Sequence, residues 1–415
     1  MVKRSTEKSY FIKNDKNYSN LIELWFDIDS SDDFIAIRKI LPTLLLSTSK
    51  KYPNEQQMEK EYMRNYIINA SSGVIEVGEN KFYTFQLKIP QKKRVKDFDI
   101  KKALSFFLDS IYFPQINDNE FVKFNEKKEQ LQREIQHIYK SKYKLSWEEL
   151  YQELDEDGTL TDKLFHHQEQ LEYLNNQDTY HYYYKLIHSH KPFIFLYGNE
   201  ELKEAEVYLN DFYKDYQPRI VSLERKMHFL TLNEEIKIIE TEKPYNESLL
   251  YMVYKVENMK DEDRILVKTI SSILDSNVTK ILFNKLRIKE KLVYWTNSES
   301  FSTYGMFIIG AGIDKNNKQL AIEKVKELFC EINKIEVIDN ALKQLRENGE
   351  CFFIRSLDSF YYEYNKKTTK YFGIGETQEE QFNQAKQVTA EQVLDFLSRI
   401  KLDTIDFVKG VEDAK

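Results

Sequence analysis

The chain has 415 residues, 41% of them hydrophobic, which predicts a globular protein of two domains of roughly 200 residues each. Its formal net charge of −7 comes from an even mixture of 61 basic and 68 acidic side chains. That balance speaks against a nucleic-acid binder, which normally shows a basic face.

In the first half, Leu21 to Ile28 reads as a strand with Ile22, Leu24, Phe26 and Ile28 on one face. Ser30 and Ser31 followed by Asp32 and Asp33 read as the start of a helix that runs to about Ser47 and is kinked or interrupted at Pro42. Asn54 caps a second helix reaching about Ile67. Strands near Gly73 to Val77 and Phe82 to Ile89 follow, with Gly78, Glu79, Asn80 and Lys81 as the turn. Ile100, Leu104, Phe107 and Ile111 form one stripe of an amphipathic helix that Pro114 stops. A long charged helix is expected from about Asn119 to Lys140, then a helix at Asp178 to His188, a buried strand at Phe193 to Tyr197 and a helix after Gly198.

The second half repeats this order. A strand at Leu249 to Val256 leads into a helix at about Asp261 to Asp275, a further helix, and strands near Val293 to Asn297 and Met306 to Ile313. Helices at Leu320 to Ile332 and Ile338 to Glu347 come next, then a late helix opened by Thr389, Ala390 and Glu391 and a last strand at Thr404 to Val408. Similar order in two halves suggests duplication. The organisation expected is a first domain over 1–217, a connecting segment with extended stretches over 218–244, and a second domain over 245–415. Tight turns between strands and long helices between hairpins predict an α+β fold, each domain a largely antiparallel sheet with helices packed on it. Gly310-Ala311-Gly312 and Gly373-Ile374-Gly375 do not continue as dinucleotide loops.

Apolar stretches such as Leu41 to Leu46 are too short to span a bilayer, so no membrane association is expected. The opening MVKRSTEKSYFIKNDKNYSN has charges but no apolar run behind them, which reads as no secretory signal and a cytoplasmic location. Cys330 and Cys351 sit in apolar contexts and read as buried thiols. The only histidine clusters are His166-His167 with Glu169, and His188 with His190, and neither has the spacing of a zinc helix. No nucleophile signature offers another hydrolase chemistry.

The segment FNKLRIKEKLVYWTNSESFSTYGMFIIGAGID, Phe283 to Asp314, resembles the most recognisable part of the pitrilysin (insulinase, mitochondrial processing peptidase) family of zinc peptidases. EKKEQLQREI, from Glu126 to Ile135, is similar to the long helix behind that family's zinc site. FIFLYGN, Phe193 to Asn199, is similar to the strand that closes its first domain, and VTAEQVLDFLSRI with DTIDFVKG to the end of its second. The resemblance implies two homologous domains of pitrilysin type.

The family's chemistry needs HxxEH on its first long helix: two histidines bind zinc, the glutamate activates water, and a distant glutamate completes the ligands. The matching helix here reads RKILPTLLLSTSKKYP, Arg38 to Pro53, and puts Lys39, Pro42 and Thr43 at those three positions. Lysine repels a cation and proline offers no donor. Glu134 falls near the third-ligand position, but one carboxylate cannot hold zinc. The degenerate motif implies no catalytic residue, no metal and no cofactor in this chain.

In the family an arginine and a tyrosine of the second domain reach the substrate, the arginine to peptide carbonyls and the tyrosine to the developing oxyanion. Arg287 and Tyr294 match that pair, with Lys291 where the family often has glycine. Read without the resemblance, Arg287 pairs with Glu290 on a helix surface and Tyr294 packs a sheet. With it, the chain resembles the short, non-catalytic bacterial subunits of paired peptidases, some of which mature ribosomally made peptides such as bacteriocins. The implied function is to enclose and bind peptide for a catalytic HxxEH homologue in a heterodimer, with zinc in that partner. The edge strand for such binding is expected near Asn69 to Val77. The competing expectation is an inert binding or scaffold homologue with no peptidase partner.

Overall fold

The computed structural model describes residues 2–28, 35–154, 168–225 and 228–411. They divide into two compact units. The first comprises Met1–Ser141, Leu160–Arg225 and Glu363–Gly375, the second Lys142–Thr159, Lys226–Tyr362 and Glu376–Lys415.

In chain order the first unit's main elements are β1 (Tyr10–Lys13), β2 (Ser19–Ile28), α1 (Ile35–Leu45), α2 (Glu55–Arg64), β3 (Asn69–Val77), β4 (Asn80–Pro90), α3 (Ile100–Tyr112) and α4 (Phe124–Tyr139). After α5 (Lys142–Leu154), which belongs to the other unit, come α6 (Asn176–His188), β5 (Phe193–Gly198) and α7 (Leu202–Phe212). The sheet has the order β1-β5-β2-β4-β3, antiparallel except between β1 and β5. Ile22, Leu24, Phe26 and Ile28 do share one face of β2, and they enter a core with Ile40, Leu44 and the α3 stripe of Leu104, Phe107 and Ile111. Alternation puts Glu23 and Trp25 on the opposite face. That face is closed by residues from far along the chain. Trp25 stacks on Phe372 at 5.2 Å, and Phe82, Phe193 and Phe195 also pack against Phe372. Glu23 is buried among them, accepting from Trp25 Nε1 at 2.6 Å, from Gln86 Nε2 and from the Tyr364 hydroxyl.

The second unit contains β6 (Lys237–Lys243), β7 (Ser248–Val256), α8 (Arg264–Leu274), β8 (Val293–Phe301), β9 (Met306–Ile313), α9 (Lys318–Ile332) and α10 (Ile335–Leu357). Then follow α11 (Phe360–Phe372), which supplies Tyr364 and Phe372 to the first unit, α12 (Gln378–Gln387), α13 (Ala390–Ser398) and β10 (Ile400–Gly410). Its sheet order, β6-β10-β7-β9-β8, repeats the first strand for strand, with the single parallel pair again at the same edge. The expected two-domain α+β architecture is therefore present.

The second sheet's outer face is covered by α5. Trp147 packs on Tyr251 at 5.0 Å and Tyr151 on Phe301 at 5.5 Å. Lys142 and Glu247 meet at 2.5 Å, Lys243 and Glu149 at 2.6 Å, Lys237 and Glu153 at 3.0 Å. Gly310 and Gly312 are explained on this face. They lie in β9, and a Cβ at Gly312 would stand 2.2 Å from Trp295 Nε1, so the indole of the adjacent strand occupies the side-chain space that glycine leaves.

Several expectations are corrected. Asp118 and Asn119 adopt left-handed conformations in the turn between short strands Ile116–Asn117 and Glu120–Phe121, so the charged helix begins only at Phe124. The hairpin turn shrinks to Gly78-Glu79, with Gly78 at φ 65°. Cys330 and Cys351 are exposed on α9 and α10, on the helix sides away from the core. The predicted helix start at Ser30 to Asp33 lies outside the described residues. Among the described residues no helix is long and apolar enough to cross a membrane.

Candidate functional site

The degenerate motif lies on α1. The helix runs through Pro42 rather than stopping there, and the Thr43 hydroxyl is turned back to the Ile40 carbonyl at 2.7 Å. The carbonyl of Pro42 accepts from Ser72 Oγ on β3 at 3.2 Å, which ties the helix to that edge strand. Lys39, Pro42 and Thr43 thus sit on one helix beside the sheet edge. A cationic side chain, a ring and a hydroxyl already bonded to backbone do not fit zinc. Glu134 is exposed on α4, where Gln130 Nε2 donates to it at 3.1 Å.

Among the described residues no group of three or more His, Cys, Asp or Glu is placed to hold a metal. His166 and His167 lie outside the described residues. His188 is stacked on Tyr184 at 4.7 Å, and burial holds its pKa below the usual histidine range. His190 is shifted the same way, by burial and then by Arg219.

Local backbone geometry ties Arg287 to the residue that precedes Tyr294. Arg287 lies in a π-helical turn, Asn284–Lys289, whose buried residue is Leu286. The chain then reverses through Lys291 at φ 57°, a left-handed conformation that favours glycine and accounts for the residue type expected there. Where β8 starts, Val293 pairs with Ile313 and Trp295 with Gly312, so Tyr294 is an extra, unpaired residue. Such a bulge re-aims a side chain, and the Tyr294 ring is 52% exposed. Arg287 Nη1 donates to the carbonyl of Val293 at 2.7 Å. The guanidinium is therefore pinned to the residue just before the tyrosine, with most of its donors unused. Glu290 pairs with Lys285 at 3.7 Å, so the alternative partner for Arg287 is engaged elsewhere.

Both candidate regions adjoin an edge strand. β3 closes one side of the first sheet and β8 the same side of the second, each hydrogen-bonded to one neighbour only. Beside β8, Thr296 donates to Asp275 at 3.2 Å, and burial raises the Asp275 pKa above the usual carboxylate range. Asp275 was not singled out in the sequence. It lies at the end of a predicted helix and carries no signature of its own.

Comparison with known proteins gives this geometry a context. Residues 173–349 match the model of the peptidase M16 inactive domain. A Bacillus subtilis (strain 168) protein named probable inactive metalloprotease YmfF is 20% identical over 391 residues, which is 92% of this chain and 91% of that protein. A conserved protein from Enterococcus faecalis V583 has a TM-score of 0.83 at 19% identity, covering 98% of this chain and 96% of that one. The structure titled peptidase M16 inactive domain from Pseudomonas fluorescens has a TM-score of 0.71 at 16% identity, covering 99% and 98%. The chain thus has the fold of the M16 peptidases over almost its whole length and matches the model of their inactive domain over residues 173–349, which bears out the resemblance to pitrilysin-type peptidases.

Proposed function

We propose that this chain is the non-catalytic subunit of a heterodimeric zinc peptidase. It encloses and binds peptide, while a pitrilysin-type partner supplies HxxEH, the zinc and the activated water. Arg287 holds peptide carbonyls and Tyr294 donates its hydroxyl to the oxyanion formed in the partner's site. The observation that carries the reading is the contrast between the two candidate positions. Lys39, Pro42 and Thr43 leave nothing for a metal, whereas Arg287 stays bonded to the residue before a bulged, exposed Tyr294. Maturation of a ribosomally made peptide is the setting we favour, by similarity to paired bacterial subunits.

Cleavage of a mixed peptide pool by this chain alone, by an HxxEH homologue from the same cell, and by both together tests the proposal. Activity confined to the mixture is the expected result. A homologue equally active alone overturns it and leaves the scaffold reading in its place.

A further inference from the structure

The second unit has a groove of about 520 Å³ between α8, α10 and α12. That size falls among small-ligand sites, which span roughly 300–1,000 Å³. Its wall is apolar: Phe353 and Phe382 stack at 4.7 Å, and Phe352 beside them is 54% exposed.

Two residues of α10 in this groove are poor helix formers. Glycine is disfavoured in a helix interior relative to alanine, and asparagine is disfavoured as well. Gly349 is not required by packing inside the protein. A Cβ there would meet only the Phe382 ring, at 3.5 and 3.8 Å, which is ordinary contact. The missing side chain therefore keeps the groove open. Asn348 next to it lines the same groove and, like Ser272 and Gln378, makes no side-chain hydrogen bond among the described residues.

The charged side chains that line the groove itself have one sign. Lys268, Arg346 and Lys386 line it, and no Asp or Glu does. Arg346 Nη2 donates to the Val388 carbonyl at 2.6 Å, while its Nε is buried with no acceptor. A purely aliphatic ligand would leave the amides and the hydroxyl idle. A peptide backbone would use them, and a carboxylate would answer the cations. Ser276 and Asn348 also line a second hollow that reaches Thr296 on the edge strand β8, so an extended chain has a continuous path from the groove to the sheet edge.

We infer that this groove binds an apolar peptide segment carrying a carboxylate, as a free C-terminus or an acidic side chain beside Leu- or Phe-type residues. The inference rests on the reading of the chain as a peptide binder, but not on its having a catalytic partner.

The test is fluorescence anisotropy of the purified chain with a labelled octapeptide of Leu, Phe and Ala ending in Asp-Glu with a free C-terminus. The same apolar peptide ending in a Lys-Lys amide is the comparison, and dodecanoate the competitor. The acidic peptide is expected to bind at least about tenfold more tightly than the basic one, a difference of about 1.4 kcal/mol. Gly349→Leu, which fills the groove with a better helix former, abolishes binding while its Tm stays equal or rises. Lys268→Gln and Lys386→Gln each weaken binding by about threefold and flatten its salt dependence. Phe352→Ser, at an exposed position, weakens it by about tenfold or more and serves if Gly349→Leu fails to fold. Equal binding of the two peptides, undiminished binding by folded Gly349→Leu or by Phe352→Ser, or displacement by dodecanoate at equal concentration overturns the inference. Because this chain is assayed alone, that failure is distinct from a loss of activity in the paired assay.

Discussion

The two units share one strand plan, yet they close the outer faces of their sheets by different chemistry. In the first, Phe372 lies 1% exposed among Trp25, Phe82, Phe193 and Phe195, and a buried acid, Glu23, receives three hydrogen bonds. In the second, α5 lies over the sheet through a half-buried Trp147 and a row of lysine–carboxylate pairs. Beneath it Asp406 is 3% exposed and faces Glu149 and Glu153, and the buried Tyr251 hydroxyl has no partner. The same topology thus tolerates an aromatic seal on one sheet and an ionic clasp on the other. Stability and its pH dependence should divide accordingly.

The sharpest test of this difference is truncation of the two anchors. Phe372→Ala should destabilise the first unit by about 3–5 kcal/mol, since it empties a fully enclosed aromatic site. Trp147→Ala should cost the second unit less, because part of that ring already faces solvent and the ion pairs remain. Hydrogen exchange read separately over β2 and β7 measures both. Equal losses would break the comparison.

The two units also differ in what they keep for peptide chemistry. If the first has lost its metal positions and the second has kept its contacts, Arg287→Ala or Tyr294→Phe should lower turnover of the assembled pair by about 100-fold, as for loss of one oxyanion donor. Assembly should be unchanged, because both side chains are exposed. Placing His, Glu and His at Lys39, Pro42 and Thr43 should give no turnover in the isolated chain, since a zinc site also needs a supporting shell that orients its ligands. Unchanged turnover in both contact variants, measured with the partner present, removes the proposed role.

The pH dependence follows from Asp406. Burial, then Glu149 and Glu153, raise its pKa to about 7 from the ordinary 3.8. A carboxyl whose folded pKa lies above its unfolded value is disfavoured when ionised, so its penalty is present above pH 7 and fades as the pH falls. Between about pH 8 and pH 6 the second unit should gain about 1.4 kcal/mol from this group. Asp406→Asn should flatten that slope. Desolvation shifts Glu299 and the half-buried Asp275 in the same direction, so some slope persists in the variant. Thermal unfolding at both pH values reads the difference, and an identical slope in Asp406→Asn would show that the acid is not the source.

Much of this plan is legible in the sequence, because one apolar face every second residue marks β2, continuous apolar runs mark β7 and β9, and a period-3.6 stripe marks α3. The strand at Phe193 and the helix at Asp178 are legible for the same reason. What the pattern does not reveal is which unit a segment serves. Trp147 and Phe372 look like ordinary apolar residues of their own halves, and nothing local says that α5 and the end of α11 cover the sheet built from the other half. The candidate pair is implied by the resemblance, but the bond from Arg287 to the carbonyl of Val293 is not legible in the sequence. It depends on a π-helical turn and a bulge, and neither leaves a trace in composition. The groove beside α10 is not legible because it is made by three helices distant in sequence, and Asn348-Gly349 reads as the end of a helix that in fact runs on to Leu357.

The smallest expected effect concerns the turn that presents the pair. Lys291 holds φ 57° with a side chain, at a cost that glycine would not bear. Lys291→Gly relieves that strain but adds freedom to the unfolded chain, so the net gain should be only about 0.5–1 kcal/mol. The Arg287–Val293 bond and the Tyr294 bulge depend on this reversal, and glycine supports the same conformation, so turnover of the assembled pair should be unchanged. A rise of a few degrees in Tm with full activity would show that the turn is strained but correctly set. A fall in turnover alongside that rise would show that the lysine side chain itself contributes to peptide binding, which adds a third residue to the wall formed by the second unit.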